Sequence, residues 1–102
     1  MASSKEYLDY VLENISDSEV TYRPMMGEYL LYVRGKLFGG VYDDRFLVKI
    51  TPSSERLLGG APRVFPYEGA KEMLLVENIE DRANLGELVN ALYTDLPAPK
   101  KK

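Results

Sequence analysis

The glycine-rich stretch RGKLFGG, residues 34–40, has a composition that could bind phosphate. A phosphate loop presents backbone N–H groups to the anion directly before a helix, whose N-terminus adds its positive end. Here the glycines precede VYDDRFLVKI, which has the pattern of strand and turn. The stretch is therefore predicted to turn the chain at Gly35. Gly39 and Gly40 are predicted to mark a bulge or a close crossing of another segment.

Acidic residues offer a second kind of chemistry, metal binding or acid–base catalysis. Asp43-Asp44 lacks the further oxygen ligands at defined spacing that a hard cation needs, and turn formation explains both residues. Glu77, Glu80 and Asp81 precede a predicted helix, where negative charge interacts favourably with the helix dipole. The sequence therefore predicts no metal site and no cofactor site.

The composition excludes most catalytic constellations. The 102 residues include no cysteine and no histidine, which rules out ordinary zinc sites, Ser-His-Asp triads and Cys-His pairs. An enzyme would have to rely on carboxylates, lysine, tyrosine or arginine, and no such constellation is evident. The chain is accordingly predicted not to be an enzyme.

The charge distribution bears on the class of partner. The formal net charge is −3, and three of the 13 basic residues form the end of the chain, Lys100 to Lys102. Without them, ten basic residues face sixteen acidic ones, a net charge of −6. Such a body repels a phosphate backbone, so direct binding to nucleic acid is disfavoured. Residues 97–102 are predicted to form a flexible basic tail, and residues 1–96 a single domain.

The chain also lacks the signals of export and membrane insertion. Its first ten residues, MASSKEYLDY, contain charges and no apolar core of a signal peptide. No apolar run approaches the roughly 20 residues needed to cross a bilayer. A soluble, cytoplasmic protein without a membrane partner is the expectation.

Helical periodicity appears at both ends of the chain. Residues 3–15 are predicted to form a helix that stops near Ser16, with Ser3 and Glu6 as a capping box. The carboxyl-terminal helix has Asp81 or Asn84 as its cap, and its apolar residues recur at helical spacing: Leu85, Leu88, Val89, Leu92, Tyr93 and Leu96.

A short third helix is predicted after residue 50. Thr51 offers an N-cap, Pro52 fits the first turn, and Gly59-Gly60 ends the helix. Because this glycine pair follows a helix instead of preceding one, a phosphate site is not indicated there.

Strand-like runs fill the middle of the chain. Residues 28–34, 37–42 and 45–50 alternate, and short spacers of Gly or Asp join them, which is typical of hairpins. Residues 20–26 are predicted to add a strand confined to an edge or a bulge by Pro24, and 72–77 a last strand. The predicted fold is α+β with two layers: an antiparallel meander sheet with the N- and C-terminal helices on one face.

Aromatic and methionine residues cluster in or beside this sheet. Tyr, Met and Arg are enriched at interface cores, and both faces of the strands carry apolar residues. One face must cover the helices; the second is expected to meet a partner protein, a copy of the chain in a homodimer, or a folded-back segment such as 60–71. The candidate partner surface comprises Tyr22, Arg23, Met25, Met26, Tyr29, Tyr32 and Tyr42.

Residues 23–50 resemble the N-terminal domain of the TfoX competence regulators. The matching positions are Arg23, Met26, Gly27, Tyr32, Gly35, Phe38 with Gly39, and Leu47-Val48-Lys49. Pro66-Tyr67, the strand near Met73 to Val76 and the final helix extend the resemblance over roughly residues 3–96.

The resemblance implies an α+β two-layer fold and no known enzymatic activity, and it supplies no functional residues to carry over. Two features depart from the family pattern. That family commonly has an aromatic residue after its methionine and a second glycine, whereas this sequence reads Met25-Met26-Gly27-Glu28. The full-length regulators also carry a second, C-terminal domain, so their regulatory activity is not assumed for this domain.

Two hypotheses about function follow. The first is a non-enzymatic binding or regulatory module that contacts another protein, or a second copy of itself, through the second face or an edge of its sheet. The alternative is a transcriptional regulator that contacts nucleic acid directly, which would show affinity falling steeply with salt.

Overall fold

The computed structural model describes residues 4–15 and 19–97, which form an α+β fold of two layers. Six antiparallel strands make one sheet, and the helices cover one of its faces. The predicted fold class is confirmed. In chain order the elements are α1 (Lys5–Asn14), β1 (Val20–Met25), β2 (Glu28–Val33), β3 (Lys36–Val41), β4 (Phe46–Val48), α2 (Pro52–Leu57), β5 (Arg63–Val64), β6 (Met73–Leu75) and α3 (Arg82–Asp95).

The first four strands form the predicted meander, and three tight turns join them. Met26-Gly27, Arg34-Gly35 and Asp43-Asp44 all have positive φ angles, between 48° and 88°. Positive φ at both central residues defines the hairpin turns whose twist matches that of the strands. The strand order is β1-β2-β3-β4-β6-β5, which places β1 at an edge, as the proline at position 24 predicts.

The sheet bulges directly before the glycine pair on β3, and the neighbouring strand approaches Gly39 closely. Leu31 pairs with Gly39 and Tyr32 with Leu37, so Phe38 is an extra, bulged residue. A Cβ on Gly39 would lie 2.2 Å from the carbonyl oxygen of Leu47 on the neighbouring strand. The strands therefore approach so closely that a side chain at residue 39 has no room.

Strand β5 was not predicted. Residues 61–71 contain two prolines and a glycine and show no strand periodicity. In the structure Arg63 and Val64 pair with Leu74 and Met73 and form the second edge of the sheet. A two-residue strand is too short to show alternation, so only its pairing with β6 reveals it.

The main core lies between the sheet and the helices. Its members are buried and come from α1, β2, β3, β4, β6 and α3. The Phe38 and Phe46 rings meet edge to face with their centroids 6.5 Å apart, an arrangement that aromatic pairs favour. Because the bulge turns Phe38 inward, the glycine-rich stretch contributes a large side chain to this core.

The helix boundaries differ slightly from the predicted ones. The N-cap of α1 is Ser4, whose hydroxyl accepts a hydrogen bond from the Tyr7 N–H; the predicted cap, Ser3, lies outside the described residues, as does Ser16. Thr51 caps α2 with Ser54 in a reciprocal capping box, and Asp81 caps α3. The predictions for Thr51 and Asp81 are confirmed.

The carboxylate of Asp95 ties the end of α3 to the start of α2. It accepts a hydrogen bond from the Ser53 N–H at 2.9 Å, and this bond, together with the nearby hydroxyls of Ser53 and Thr51, lowers the pKa of Asp95 below its usual 3.8. A pKa lower in the folded than in the unfolded protein means that the charged form stabilises the fold. That stabilisation is present above about pH 3.8 and is lost as the pH falls through the folded value.

We therefore expect Asp95→Asn to be less stable than the wild type at neutral pH and to lose this difference in acid. Urea unfolding at a series of pH values measures the free energy of unfolding of both proteins. The gap should be constant near neutral pH and shrink below about pH 3.8. A gap that stays constant throughout the acid range would contradict the assignment.

Candidate functional site

The stretch RGKLFGG forms a turn and a bulged strand. Arg34 and Gly35 occupy the turn, with φ angles of 48° and 84°, and residues 36–41 form β3. The chain then enters another turn and β4, so no helix N-terminus follows the glycines. The prediction that this stretch turns and bends the chain is confirmed.

Three of the acidic residues considered as metal ligands, Asp44, Glu80 and Asp81, accept structural hydrogen bonds. Asp44 accepts a hydrogen bond from the Ser4 N–H at 2.8 Å, and Asp81 caps α3 through the Asn84 N–H. Glu80 accepts from the Tyr10 hydroxyl at 3.0 Å, which links α1 to the loop before α3. Among residues 4–15 and 19–97 no three acidic side chains come together as metal ligands would.

The second face of the sheet, opposite the helices, divides into two halves. Residues paired across neighbouring strands point to the same side, so the register assigns each side chain to a face. We call the β1–β3 half the outer face of the meander: Thr21, Arg23, Met25, Glu28, Leu30, Tyr32 and Leu37. The other half, around β4, β6 and β5, carries Leu47, Met73, Leu75 and Val64.

A folded-back segment covers part of the second half. Residues 65–72 leave β5 and return to β6, and the Tyr67 ring lies 6.2 Å from the Tyr42 ring, centroid to centroid. Tyr42, only 5% exposed, packs with Leu47 and Met73 in a small second core. The sequence left three possibilities for what covers this face: a partner protein, a second copy of the chain or a folded-back segment. In this half of the face the cover is a folded-back segment.

No described segment lies across the outer face of the meander in the same way. Met25, Leu30, Tyr32 and Leu37 are each partly exposed. Met26, in the turn that follows Met25, is 98% exposed and has a φ of 51°. The face therefore presents aliphatic, aromatic and sulfur-containing side chains to solvent.

The structure separates the seven candidate partner residues. Arg23, Met25 and Tyr32 lie on the outer face of the meander, with Met26 at its end. Tyr22 and Tyr29 point to the helix side, where their rings meet edge to face at 5.8 Å. Tyr22 remains 37% exposed at the edge, while Tyr29 packs against the main core.

Tyr42, the seventh candidate, is buried beneath Tyr67. Burial raises the pKa of its phenol, so the group is neutral at physiological pH. The two tyrosines line one side of a groove of about 470 Å³ between β3 and the folded-back segment. Sequence reasoning missed this groove, because its walls come from two separate segments, residues 37–50 and 66–73; the aromatic pair and two nearby lysines were the available signals.

Comparison with known proteins gives one relative over the entire chain. An uncharacterized 12.7 kDa protein in the trpE 5′ region of Spirochaeta aurantia is 30% identical over 104 residues. The alignment covers all of this chain and 90% of that protein. This chain belongs to the family of that spirochaetal protein. No family model matches the chain.

The alignment with the spirochaetal protein spans every element described above. Since the alignment extends over the entire chain, the segments that carry the outer face of the meander and the groove are both within it. Within residues 4–15 and 19–97, none of the helices has the length and apolar character required to traverse a bilayer.

Proposed function

We propose that this chain is a non-enzymatic protein-binding module of the TfoX N-terminal type, and that its contact surface is the outer face of the meander with Met26. The resemblance of residues 23–50 to TfoX domains supports the family type. Its matching glycines at 27, 35 and 39 serve the turns and the close strand approach, which are requirements of the fold.

Met26 is the observation that carries the proposal. A left-handed φ of 51° at the first position of a two-residue turn suits Asn, Asp or Gly, and a bulky residue there adds strain. The methionine side chain is also 98% exposed, so it contributes almost no burial to the free domain. Met26 thus strains its turn and gains no compensating burial in the free domain, whereas a partner that covers the side chain would supply that burial.

The neighbouring side chains have the composition of an interface core. Met25 adjoins Met26, Leu30 and Tyr32 follow along the same face of β2, and all three are partly exposed, with Arg23 among them. Tyr, Met and Arg are the residue types enriched where protein interfaces exclude water. A partner of apolar surface would bury these side chains together.

A second copy of the chain fits this face, because the face carries one charge of each sign. Arg23 is paired with Leu30, and Glu28 with Met25, so both charges point outward at the same end of the hairpin. In a two-fold contact the same patch meets itself, and Arg23 of one copy can approach Glu28 of the other. Each copy of the chain has a net negative charge, and the two copies repel each other least where neutral faces meet.

Nucleic acid is a poorer fit to the same face. A surface that binds a phosphate backbone needs several cations, and here Glu28 offsets Arg23. The excess of acidic over basic residues in the body of the chain also disfavours binding to nucleic acid.

The test compares the wild type with the double variant Met26→Asn/Tyr32→Ser by sedimentation equilibrium over a range of concentrations. We expect a concentration-dependent dimer for the wild type and a dissociation constant at least roughly tenfold higher for the variant. Thermal unfolding should show an intact fold, because Asn suits the turn position and offsets the loss at Tyr32.

Phe65→Ser is the matched control, since Phe65 is another exposed aromatic, at 59%, but lies beside β5 at the far edge of the sheet. Its dimerisation should equal that of the wild type. A wild type that remains monomeric at every concentration would overturn the self-association. If the double variant unfolds, the single variant Met26→Asn is compared with the wild type instead. The Met26 side chain is so exposed that it is not part of the core, so this variant should stay folded.

A further inference from the structure

The groove beneath the folded-back segment has the dimensions of a small-molecule site. Its volume of about 470 Å³ lies within the roughly 300–1,000 Å³ typical of ligand pockets. Its lining is predominantly apolar and aromatic, as such sites are. The apolar and aromatic members are Leu37, Ile50, Pro66, Tyr67, Met73 and Tyr42.

The β3 bulge and the glycine pair shape the floor of this groove. Gly39 brings bare backbone to the floor, and the Tyr42 ring lies over Gly40, where an added Cβ would meet its Cε2 at 2.7 Å. Tyr67 stands above Tyr42 and is 57% exposed, so much of its ring remains available to a ligand. The opening therefore presents a flat aromatic surface beside a sheet backbone without side chains.

The charge at the groove contrasts with the rest of the protein. Lys49 and Lys71 line it together with one acidic residue, Glu72. This local excess of positive charge occurs in a chain whose net charge is −3, with sixteen acidic residues. A groove with an apolar floor and two ammonium groups complements an anion attached to an apolar body.

We propose that this groove binds a small aromatic carboxylate, with its ring against Tyr67 and Met73 and its carboxylate at Lys49 and Lys71. Aromatic rings stack favourably on tyrosine and contact methionine sulfur well. A lysine ammonium forms charge-assisted hydrogen bonds with a carboxylate. This site is separate from the partner contact proposed above, although Leu37 borders both surfaces.

The experiment titrates 2-naphthoate, and separately the neutral 2-naphthylmethanol, into ¹⁵N- and methyl-labelled protein followed by NMR. Naphthoate should shift the resonances of Gly39, Tyr67, Ala70 and Met73, and should bind more tightly than the neutral compound with the same ring. In Lys49→Gln/Lys71→Gln, naphthoate affinity should fall roughly tenfold or more, to that of the alcohol.

Arg56→Gln is the matched control, because it removes an exposed positive charge on α2 outside the groove. Its affinity for naphthoate should equal that of the wild type. The monomeric variant Met26→Asn/Tyr32→Ser should also bind naphthoate normally, so failure of the partner contact and failure of this site are distinguishable. Absent shifts at millimolar naphthoate, or equal affinity in the lysine double variant, would overturn the proposal.

Discussion

Replacing Gly39 by alanine should destabilise the protein by roughly 3 kcal/mol, although the change adds a single methyl group. The new Cβ would lie 2.2 Å from the Leu47 carbonyl oxygen and 3.0 Å from the Val48 Cα. Both are backbone atoms of β4, held in register opposite β3, and neither can move aside as a flexible side chain would. Urea unfolding measures the difference directly.

Gly86→Ala provides the control of opposite sign. Gly86 lies inside α3, and no atom stands within 4 Å of the position that its Cβ would take. Alanine there should stabilise the helix by about 0.5–1 kcal/mol, because glycine is a poor helix former. If both substitutions were equally tolerated, the close approach of β3 and β4 would be wrong.

The second large effect is expected at Lys36, whose side chain closes the C-terminal end of α3. Its Nζ donates hydrogen bonds to the Tyr93 and Leu96 carbonyl oxygens, each at 2.8 Å, and lies 4.2 Å from the centre of the Tyr93 ring. Helices end with unpaired carbonyl groups and a partial negative charge, which an ammonium group satisfies. Lys36→Met should destabilise the protein by about 2–3 kcal/mol, measured by thermal or urea unfolding.

Lys5→Met is the matched control for this prediction. The Lys5 ammonium group bonds to a carboxylate, that of Asp9 at 3.2 Å, and approaches the Tyr22 ring, but the side chain is half exposed on α1. Exposed ion pairs contribute little, so we expect almost no change in unfolding. A Lys36→Met variant as stable as Lys5→Met and the wild type would mean that the helix end does not depend on Lys36.

The parts of this fold that follow from local chemistry could be predicted from the sequence. Thr51 and Asp81 act as caps because their side chains serve nearby N–H groups, and Gly35 allows the positive φ of its turn. Alternation in β2 places Tyr29 and Leu31 on the helix side of the sheet and Leu30 and Tyr32 on the other face. These features depend on neighbours within a few residues, which the sequence displays directly.

Features that depend on distant segments could not be predicted in the same way. The pairing of Arg63 with Leu74 creates β5 from a stretch with no period of its own. Tyr22 and Tyr32 belong to one cluster in the sequence, yet the register of β1 on β2 places them on opposite faces. The groove requires Tyr67 to return over Tyr42, and nothing local indicates that return.

The two edge strands of the sheet are both poor templates for strand addition by other molecules. An exposed edge strand can recruit a strand from another molecule, and repeated additions lead to fibrils. At one border Pro24 removes a donor from β1, and at the other β5 offers only two residues for pairing. Strand addition is disfavoured at both borders, so the molecule can leave apolar side chains uncovered on a sheet face with little danger of amyloid-like aggregation.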